Sequence, residues 1–369
     1  MVAVVVASLG DPADVRTWSG IPSRILEAVS ANGERAIAGG PLVGPRARIA
    51  ASAGHWLAKL HLHIAVDRER PMRTEAAEQL NDIVRATSAD LIISTTSLIH
   101  EKRHNASVPT ALWVDAVLPV ALNYTTGFVG IPGWNVARMI SAEREVLQSV
   151  DLIAFASQWA LDGMRTHYPD ITTPAIVLPF GAINEPLHTV NRSGAPAHRI
   201  LSIGVEWQRK GMDDLVAAVA LARVQRPELT LDIVGDLPPE GATLPPWVRA
   251  HGRLQRDRPT DKVALDSLFA QAGVFALLSR AECYGIVFVE AAAHGLPSVG
   301  TQTGGIPTAV LDGVTGHLVP VGDIQAAAAA ILRLLNGSTY QQMANAGRTV
   351  AAERSWEVSV RQIVERLSD

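Results

Sequence analysis

The sequence is poor in cysteine, in charge of either sign and in long hydrophobic runs. Its one cysteine, Cys283, excludes an internal disulfide, and a reducing, cytoplasmic location is expected. The formal net charge of −4 lacks the strong positive excess that is typical of nucleic-acid-binding proteins. The apolar run MVAVVVASLG is shorter than the roughly 20 residues of a membrane-spanning helix and has no basic leader. We therefore expect a globular protein without disulfides and without a nucleic-acid partner.

Short apolar runs that alternate with helical stretches are the main pattern that is present. The helical stretches include TEAAEQLNDIVRATS and MDDLVAAVALARVQ. Such alternation predicts βαβ units and parallel sheets that are buried on both faces. The runs that predict strands are VAVVVAS, DLIIST, TALWVD, DLIAFAS, AIVLPF, RILSIG, LTLDIVG, GVFALLS and PSVGT.

The pattern pauses at residues 181–199, which are rich in Gly, Pro, Ser and Asn and therefore predict an interdomain linker. We expect a first domain over 1–184, a linker over 185–198 and a second domain over 199–349. The predicted fold class is α/β, with two Rossmann-like doubly wound domains that face each other across a cleft.

Two adjacent cations follow one predicted strand of the second half. In SIGVEWQRKGMDDLVAA, a strand ends near Ile203, the loop carries Arg209 and Lys210, and a helix starts near Met212. Ligands of doubly wound sheets bind beyond the carboxyl ends of the strands. A guanidinium beside an ammonium suits a phosphate or diphosphate there. The competing interpretation is a pair of solvated surface charges.

The segment RAECYGIVFVEAAAHG places a carboxylate on each side of a predicted helix start. We expect the amides of Ile286 and Val287 to form a helix N-terminus that binds an anion. Glu282 precedes this turn, and Glu290 lies about one helical turn beyond it, where it can accept hydrogen bonds from a polyol such as ribose. The competing interpretations are a surface charge for Glu282 and a favourable helix-dipole interaction for Glu290.

Glycines mark three further loops. Gly304 and Gly305 allow the backbone to approach a charged group closely, or form an ordinary turn. Gly235 lies where a strand meets a loop, a position suited to packing under a flat ring. In the first half, Gly20 precedes a helix and is a candidate for phosphate contact, while the competing interpretation makes Ser19 a simple helix cap.

Together these stretches resemble the retaining glycosyltransferases of family 4, which have the two-Rossmann GT-B fold. The resemblance covers most of the C-terminal half, in IGVEWQRKG and in SRAECYGIVFVEAAAHGLPSVGTQTGGIPTAVLDGVTGHLVP, including the family's two glutamates separated by seven residues. It is weaker in TWSGIP and in SQWALDGMRTHYPDITTPAIVLPFGA. It implies that residues 350–369 form a final helix that crosses back to the first domain.

The resemblance also implies a reaction. A sugar passes from a nucleotide-diphosphate sugar, bound by the second domain, to the hydroxyl of a small-molecule, glycan or lipid-linked acceptor, bound by the first. No metal and no other cofactor is expected, and the anomeric configuration is retained. The implied catalytic residues are Glu282, Lys210 and Arg209. The implied donor-binding residues are Gly20, Arg209, Lys210, Glu282, Tyr284, Gly285, Ile286, Val287, Glu290, Gly305 and Ile306.

Two features depart from the family pattern. Many relatives place an arginine after the glycine that ends the first strand of the second domain, whereas Val205 stands here, and Arg209 is inferred to take that role. The histidine that many relatives present from the first domain is not evident, and His100 is not assigned to it. Asp115, at the end of TALWVD, is the candidate on the acceptor side, or else an ordinary helix cap.

Other functions remain open at this point. An epimerase or a phosphorylase would fit the same fold, as would a non-catalytic donor-binding module. A dehydrogenase ranks last, because no G-x-G-x-x-G follows the first strand. The basic stretch over 45–70 is interpreted as a crossover helix with a solvated face rather than as a membrane-surface helix.

Overall fold

The structure is a computed structural model that divides into two compact units. The N-terminal unit comprises Met1–Pro179 and Trp356–Asp369, and the C-terminal unit comprises Phe180–Ser355. Most of the predicted linker over 185–198 and of the stretch over 45–70 lies outside the described residues, as does His100. The structure describes residues 1–44, 49, 64–65, 69–97, 108–122, 124, 128–186, 198–255, 257–336 and 338–368.

The N-terminal unit is built on a parallel sheet of six strands in the order β2-β1-β3-β4-β5-β6. The run Val4–Val6 has no exposed area, and β-branched side chains that are buried on both faces favour a central strand of this kind. The strands are β1 Ala3–Ala7, β2 Arg35–Gly39, β3 Leu91–Ser94, β4 Thr110–Val114, β5 Leu152–Phe155 and β6 Ala175–Val177.

Helices follow most of these strands. A short 3₁₀ turn, Thr17–Gly20, leads into the first of them, which has Pro22 in its first turn, where the missing N–H costs no hydrogen bond. The described helices of this part are α1 Ile21–Ala31, α2 Arg70–Thr87, α3 Leu118–Ala121, α4 Gly133–Leu147 and α5 Gln158–His167.

The C-terminal unit also contains a parallel sheet of six strands, in the order β12-β11-β10-β7-β8-β9. Counted within the unit, this is the Rossmann order, and the point at which the strand order reverses lies between β7 and β10. The strands are β7 Arg199–Gly204, β8 Thr230–Gly235, β9 Val248–Gly252, β10 Val274–Leu277, β11 Ser298–Thr301 and β12 Gly316–Val319. The described helices are α6 Met212–Ala222, α7 Pro259–Gln271, α8 Ile286–Ala293, α9 Ile306–Ala309, α10 Ile324–Asn336 and α11 Tyr340–Glu353.

The last helix, α12 Trp356–Ser368, belongs to the N-terminal unit. Trp356 is fully buried against Trp113, with their ring centroids 5.4 Å apart. Asn32, at the end of α1, donates a hydrogen bond from Nδ2 to the carbonyl of Glu357 at 2.8 Å. Burying two indole rings on each other provides a large apolar contribution, which fixes this terminal helix on the unit.

No helix among the described residues is both long enough and apolar enough to cross a lipid bilayer.

Gly235, at the end of β8, is required by the backbone, whether or not a ligand is bound. Its φ is +129°, and a Cβ atom there would lie 1.8 Å from the carbonyl oxygen of Gly204. We expect Gly235→Ala to lower the free energy of unfolding by about 2–4 kcal/mol, because backbone strain and steric overlap add. Urea denaturation of the full chain checks this.

The matched control is Gly241→Ala. Gly241 has a φ of +84°, but a Cβ atom there would have no neighbour within 4 Å. Strain alone should then cost about 1–2 kcal/mol. Equal losses in the two variants would show that the close approach to Gly204 is not a constraint.

Candidate functional site

The carboxyl ends of β7 and β10 are neighbours in the C-terminal sheet, where the strand order reverses. The two strands pair in parallel, with Phe275 opposite Leu201. The loop after β7 spans 205–211, and the segment after β10 spans 278–285. In doubly wound sheets, ligands bind beside such a reversal. These two segments also contain five of the eleven residues that the sequence predicted for donor binding.

The loop after β7 has a backbone that few residues other than glycine adopt. Glu206 has a φ of +65°, and its amide donates to Asp236 Oδ2 at 2.6 Å. This hydrogen bond, assisted by Arg253, lowers the pKa of the Asp236 carboxyl. Gly211 has a φ of +64°, and a Cβ atom there would lie 2.0 Å from the carbonyl oxygen of Leu278. The loop is therefore packed directly against the segment that follows β10.

Arg209 lies between these two segments. Its Nε and Nη2 donate to the Glu206 carboxylate at 3.0 and 2.9 Å, and its Nη1 donates to the carbonyl of Ala281 at 2.9 Å. Burial opposes its charge, but the hydrogen bonds with Glu206 and the charge of Glu282 outweigh burial and raise the pKa of Arg209. The Arg209 guanidinium therefore links the two segments. Its nearest negative charge is the carboxylate of Glu206, which belongs to the same loop.

Lys210 forms an ion pair with Glu282, between its Nζ and Glu282 Oε2. The two side chains are only 10% and 11% exposed. Ser279 Oγ donates to the same carboxylate oxygen at 3.4 Å. A buried pair gains little net stability, but removing one partner leaves an uncompensated charge. Two of the three implied catalytic residues, Lys210 and Glu282, are therefore in direct contact.

Helix α8 begins beside this ion pair. Gly285 is its N-cap, with a φ of +86°, and Phe288 donates its amide to the Gly285 carbonyl at 2.9 Å. The side chains of Ile286 and Val287, in the first turn, are half-buried. The first amides of a helix have no partner within the helix and carry a partial positive charge. The predicted helix start is confirmed at Ile286.

The loop that follows β11 packs on the backbone of the segment 278–285. Gly305 donates its amide to the Glu282 carbonyl at 3.1 Å, and a Cβ atom at Gly305 would lie 2.2 Å from the carbonyl oxygen of Cys283. Ile306 is fully buried. The site therefore requires glycine at position 305, whether or not a ligand is bound.

Tyr284 is buried, and its hydroxyl donates to the carbonyl of Phe180 at 2.9 Å. The two rings meet edge to face, with centroids 5.5 Å apart. Burial raises the pKa of the Tyr284 phenol. Its hydroxyl thus supports the start of the C-terminal unit, and donor contact by Tyr284 stays a prediction.

Glu290 lies in the second turn of α8 and has no exposed area. Its Oε1 accepts hydrogen bonds from the backbone amide and the side-chain amide of Asn184, at 3.2 and 3.1 Å. The carbonyl of Glu290 is 2.8 Å from Nδ1 of the buried His294. The side-chain carboxylate and the backbone carbonyl of Glu290 are therefore both held by residues of the C-terminal unit.

The candidates of the N-terminal unit lie at the carboxyl edge of its own sheet. Trp18, Ser19 and Gly20 are consecutive residues with φ values of 40°, 60° and 88°. Gly20 is the N-cap of α1, so the interpretation of Ser19 as the cap is wrong. Asp115 directly follows β4 and is half-buried. The roles predicted for Gly20 and Asp115 stay predictions.

Two residues of the site were missed by the reasoning from sequence. Glu206 binds the Arg209 guanidinium. Its only signal in the sequence was an acidic residue three positions before a basic one. Asn184 holds Glu290 from 106 residues away and lies in the stretch that predicted a linker. The only signal in the sequence was a side-chain amide a few residues beyond the predicted strand AIVLPF.

Comparison with known proteins shows which family the C-terminal unit resembles. Residues 197–337 match the family model described as glycosyl transferases group 1. The C-terminal unit of this chain is therefore similar to that family over most of its length. The family resemblance stated from the sequence is thereby confirmed.

A curated relative extends the match. The D-inositol 3-phosphate glycosyltransferase of Corynebacterium diphtheriae is 29% identical over 242 residues, which cover 60% of this chain and 56% of that protein. The D-inositol 3-phosphate glycosyltransferase of Mycobacterium bovis is 41% identical over 102 residues, which cover 27% of this chain and 21% of that protein. The chain thus spans between a fifth and just over half of the length of these curated relatives.

Solved structures share the fold of the whole chain. Sucrose-phosphate synthase from Thermosynechococcus elongatus superposes with a TM-score of 0.72 at 19% identity, covering 99% of this chain and 98% of the other. HepE from Anabaena, solved with UDP and glucose, gives a TM-score of 0.63 at 17% identity over 100% of both chains. Together with the two six-stranded parallel sheets, these likenesses confirm the predicted GT-B fold.

Proposed function

We propose that the chain is a retaining, metal-independent glycosyltransferase that moves a sugar from a nucleotide-diphosphate sugar to an acceptor hydroxyl. The observation that carries the proposal is the buried Lys210–Glu282 pair, which lies beside the N-terminus of α8 where the strand order reverses. A cation and a set of helix amides offer positive charge for a diphosphate. A neighbouring carboxylate offers acceptors for sugar hydroxyls.

The proposed chemistry follows from where charge develops. The bond from the anomeric carbon to the diphosphate oxygen breaks, and a bond to the acceptor oxygen forms on the same face. The acceptor proton passes to the departing phosphate oxygen. Lys210 and the amides near Ile286 stabilise the negative charge that grows on the diphosphate, so they favour the transition state over the bound substrate. Arg209, which is held by its ion pair with Glu206, also contributes positive charge near the diphosphate.

The relatives guide the choice of compounds. HepE was solved with UDP and glucose, so UDP-glucose is the first donor to test. The Corynebacterium relative is named for D-inositol 3-phosphate, so a phosphorylated polyol is the first acceptor to test. Glycan and lipid-linked acceptors form the rest of the panel.

The decisive experiment is product analysis by NMR spectroscopy with and without an acceptor. The proposal expects a new glycoside that keeps the anomeric configuration of the donor, formed only when an acceptor is present. Conversion of the nucleotide sugar alone would indicate an epimerase. Binding without turnover across the panel would indicate a donor-binding module.

Metal independence is a separate part of the proposal. It is supported by the part of the chain that the structure describes, in which no three His, Cys, Asp or Glu side chains gather into a candidate metal site. We expect turnover in excess EDTA to stay within about twofold of the untreated rate. A loss that is restored by added Mg²⁺ or Mn²⁺ would contradict this part.

A further inference from the structure

Asn184 is the residue through which the C-terminal unit holds the carboxylate of Glu290. Two N–H groups of Asn184 donate to Glu290 Oε1, one from the backbone at 3.2 Å and one from Nδ2 at 3.1 Å. Glu290 has no exposed area. A carboxylate removed from water keeps its charge only when hydrogen-bond donors surround it. Asn184 supplies two such donors to one oxygen, which also fixes the plane of the carboxylate.

The backbone of Glu290 is fixed from the other side. His294 Nδ1 lies 2.8 Å from the Glu290 carbonyl, and His294 Nε2 lies 3.2 Å from Asp266 Oδ1. The imidazole stacks on Phe269, with the ring centroids 4.3 Å apart. With the main chain of α8 held in this way, the remaining freedom of Glu290 is the rotation of its side chain, and Asn184 restrains that rotation.

We propose that Asn184 is a positioning residue for the ribose of the donor. It orients Glu290 so that the carboxylate accepts hydrogen bonds from the ribose hydroxyls. The inference rests on the proposed function and adds to it a residue outside the loops that follow β7, β10 and β11. An ionised carboxylate accepts hydrogen bonds at both of its oxygens, and Asn184 donates to Oε1 only. Because Glu290 is buried, water does not take over the role of Asn184 in orienting its carboxylate. Loss of Asn184 should therefore weaken ribose recognition rather than slow the chemical step.

The test is a cycle between Asn184→Ala and removal of the 2′-hydroxyl from the ligand. Calorimetry measures Kd for UDP, GDP and ADP, and for the 2′-deoxy form of whichever binds best. For the wild-type chain, loss of the 2′-hydroxyl should weaken binding about 10- to 100-fold, as expected for a hydrogen bond to a charged group. In Asn184→Ala, the ribonucleotide should bind about tenfold more weakly, and the difference between ribo and deoxy forms should fall below about threefold.

The turnover number at saturating donor should stay within about threefold of wild type, because Asn184 does not touch the reacting atoms. Asn345→Ala is the matched control, since Asn345 is exposed on helix α11 and accepts a hydrogen bond from Gln341 of the same helix. It should leave both Kd values unchanged. If Asn184→Ala folds poorly, Asn184→Ser keeps a donor and should give an intermediate preference for ribose.

The outcomes separate the inference from the proposed function. If the wild-type chain binds none of these three diphosphates and does not bind dTDP either, the proposed function fails, and the inference fails with it. Binding of dTDP alone, which has no 2′-hydroxyl, would overturn only the inference. If the chain binds one of UDP, GDP and ADP and Asn184→Ala keeps the full preference for ribose, the inference alone is overturned. Tighter binding of the ribonucleotide by Asn184→Ala would also overturn it, by showing that Asn184 competes with the ribose.

Discussion

Replacing Lys210 with Met should lower the turnover number about 100- to 1,000-fold, which is the usual effect of removing one group that stabilises developing negative charge. Met has a similar length and keeps the packing of the lysine stem, so the loss reports the ammonium. Stopped assays with UDP-glucose and the acceptor found in the panel would measure it. The effect should fall on the turnover number more than on KM, because the charge matters most when the diphosphate leaves.

The same substitution leaves Glu282 as a buried charge without its ion-pair partner, which is expected to cost about 3–5 kcal/mol of stability. Circular dichroism and thermal unfolding would therefore accompany the assays. Lys262→Met is the matched control, since Lys262 is an exposed lysine of the same unit, and it should retain full activity. Near-wild-type turnover in a folded Lys210→Met chain would remove Lys210 from the mechanism.

Replacing Glu282 with Gln should lower turnover about 100-fold. The amide keeps the shape of the side chain but removes the charge that pairs with Lys210, and it offers one acceptor oxygen instead of two to the sugar hydroxyls. Because the two residues touch, their effects should not add. In the Lys210→Met background, Glu282→Gln should cost less than about tenfold further.

The double variant also separates stability from catalysis. With neither charge present, the unfolding midpoint should recover most of the loss seen in Lys210→Met, while turnover stays low. Glu240→Gln, at an exposed glutamate of the same unit, is the control and should change neither turnover nor the unfolding midpoint. Independent, multiplicative effects of the Lys210 and Glu282 substitutions would show that the pair does not act as a unit.

Central strands could be predicted from sequence because both of their faces are buried. Val4, Val5 and Val6 form a continuous β-branched run that is typical of a buried strand. The strands that were not predicted, β2, β9 and β12, are edge strands, and most of their residues are partly buried or exposed. Without an apolar run, an edge strand does not stand out from a loop in a single sequence.

The residue types of the site could be predicted, but their pairings could not. Arg209, Lys210, Glu282 and Glu290 were found because the loops after parallel strands meet at one edge of a sheet. The contact between Glu290 and Asn184 joins positions 106 residues apart, and no periodicity encodes it. The left-handed backbone of Glu206 could not be predicted either, because the carboxylate that binds its amide belongs to Asp236, which directly follows the neighbouring strand β8.

The central claim is that the C-terminal unit binds an activated sugar by its diphosphate, through Lys210 and the amides at the start of α8. Isothermal titration calorimetry of the full chain with UDP, GDP, ADP and dTDP, each beside its monophosphate, tests it most directly. The account predicts that at least one diphosphate binds, and that it binds about tenfold or more tightly than its monophosphate. Absence of binding by all four diphosphates, or equal affinity for the diphosphate and the monophosphate, would contradict it.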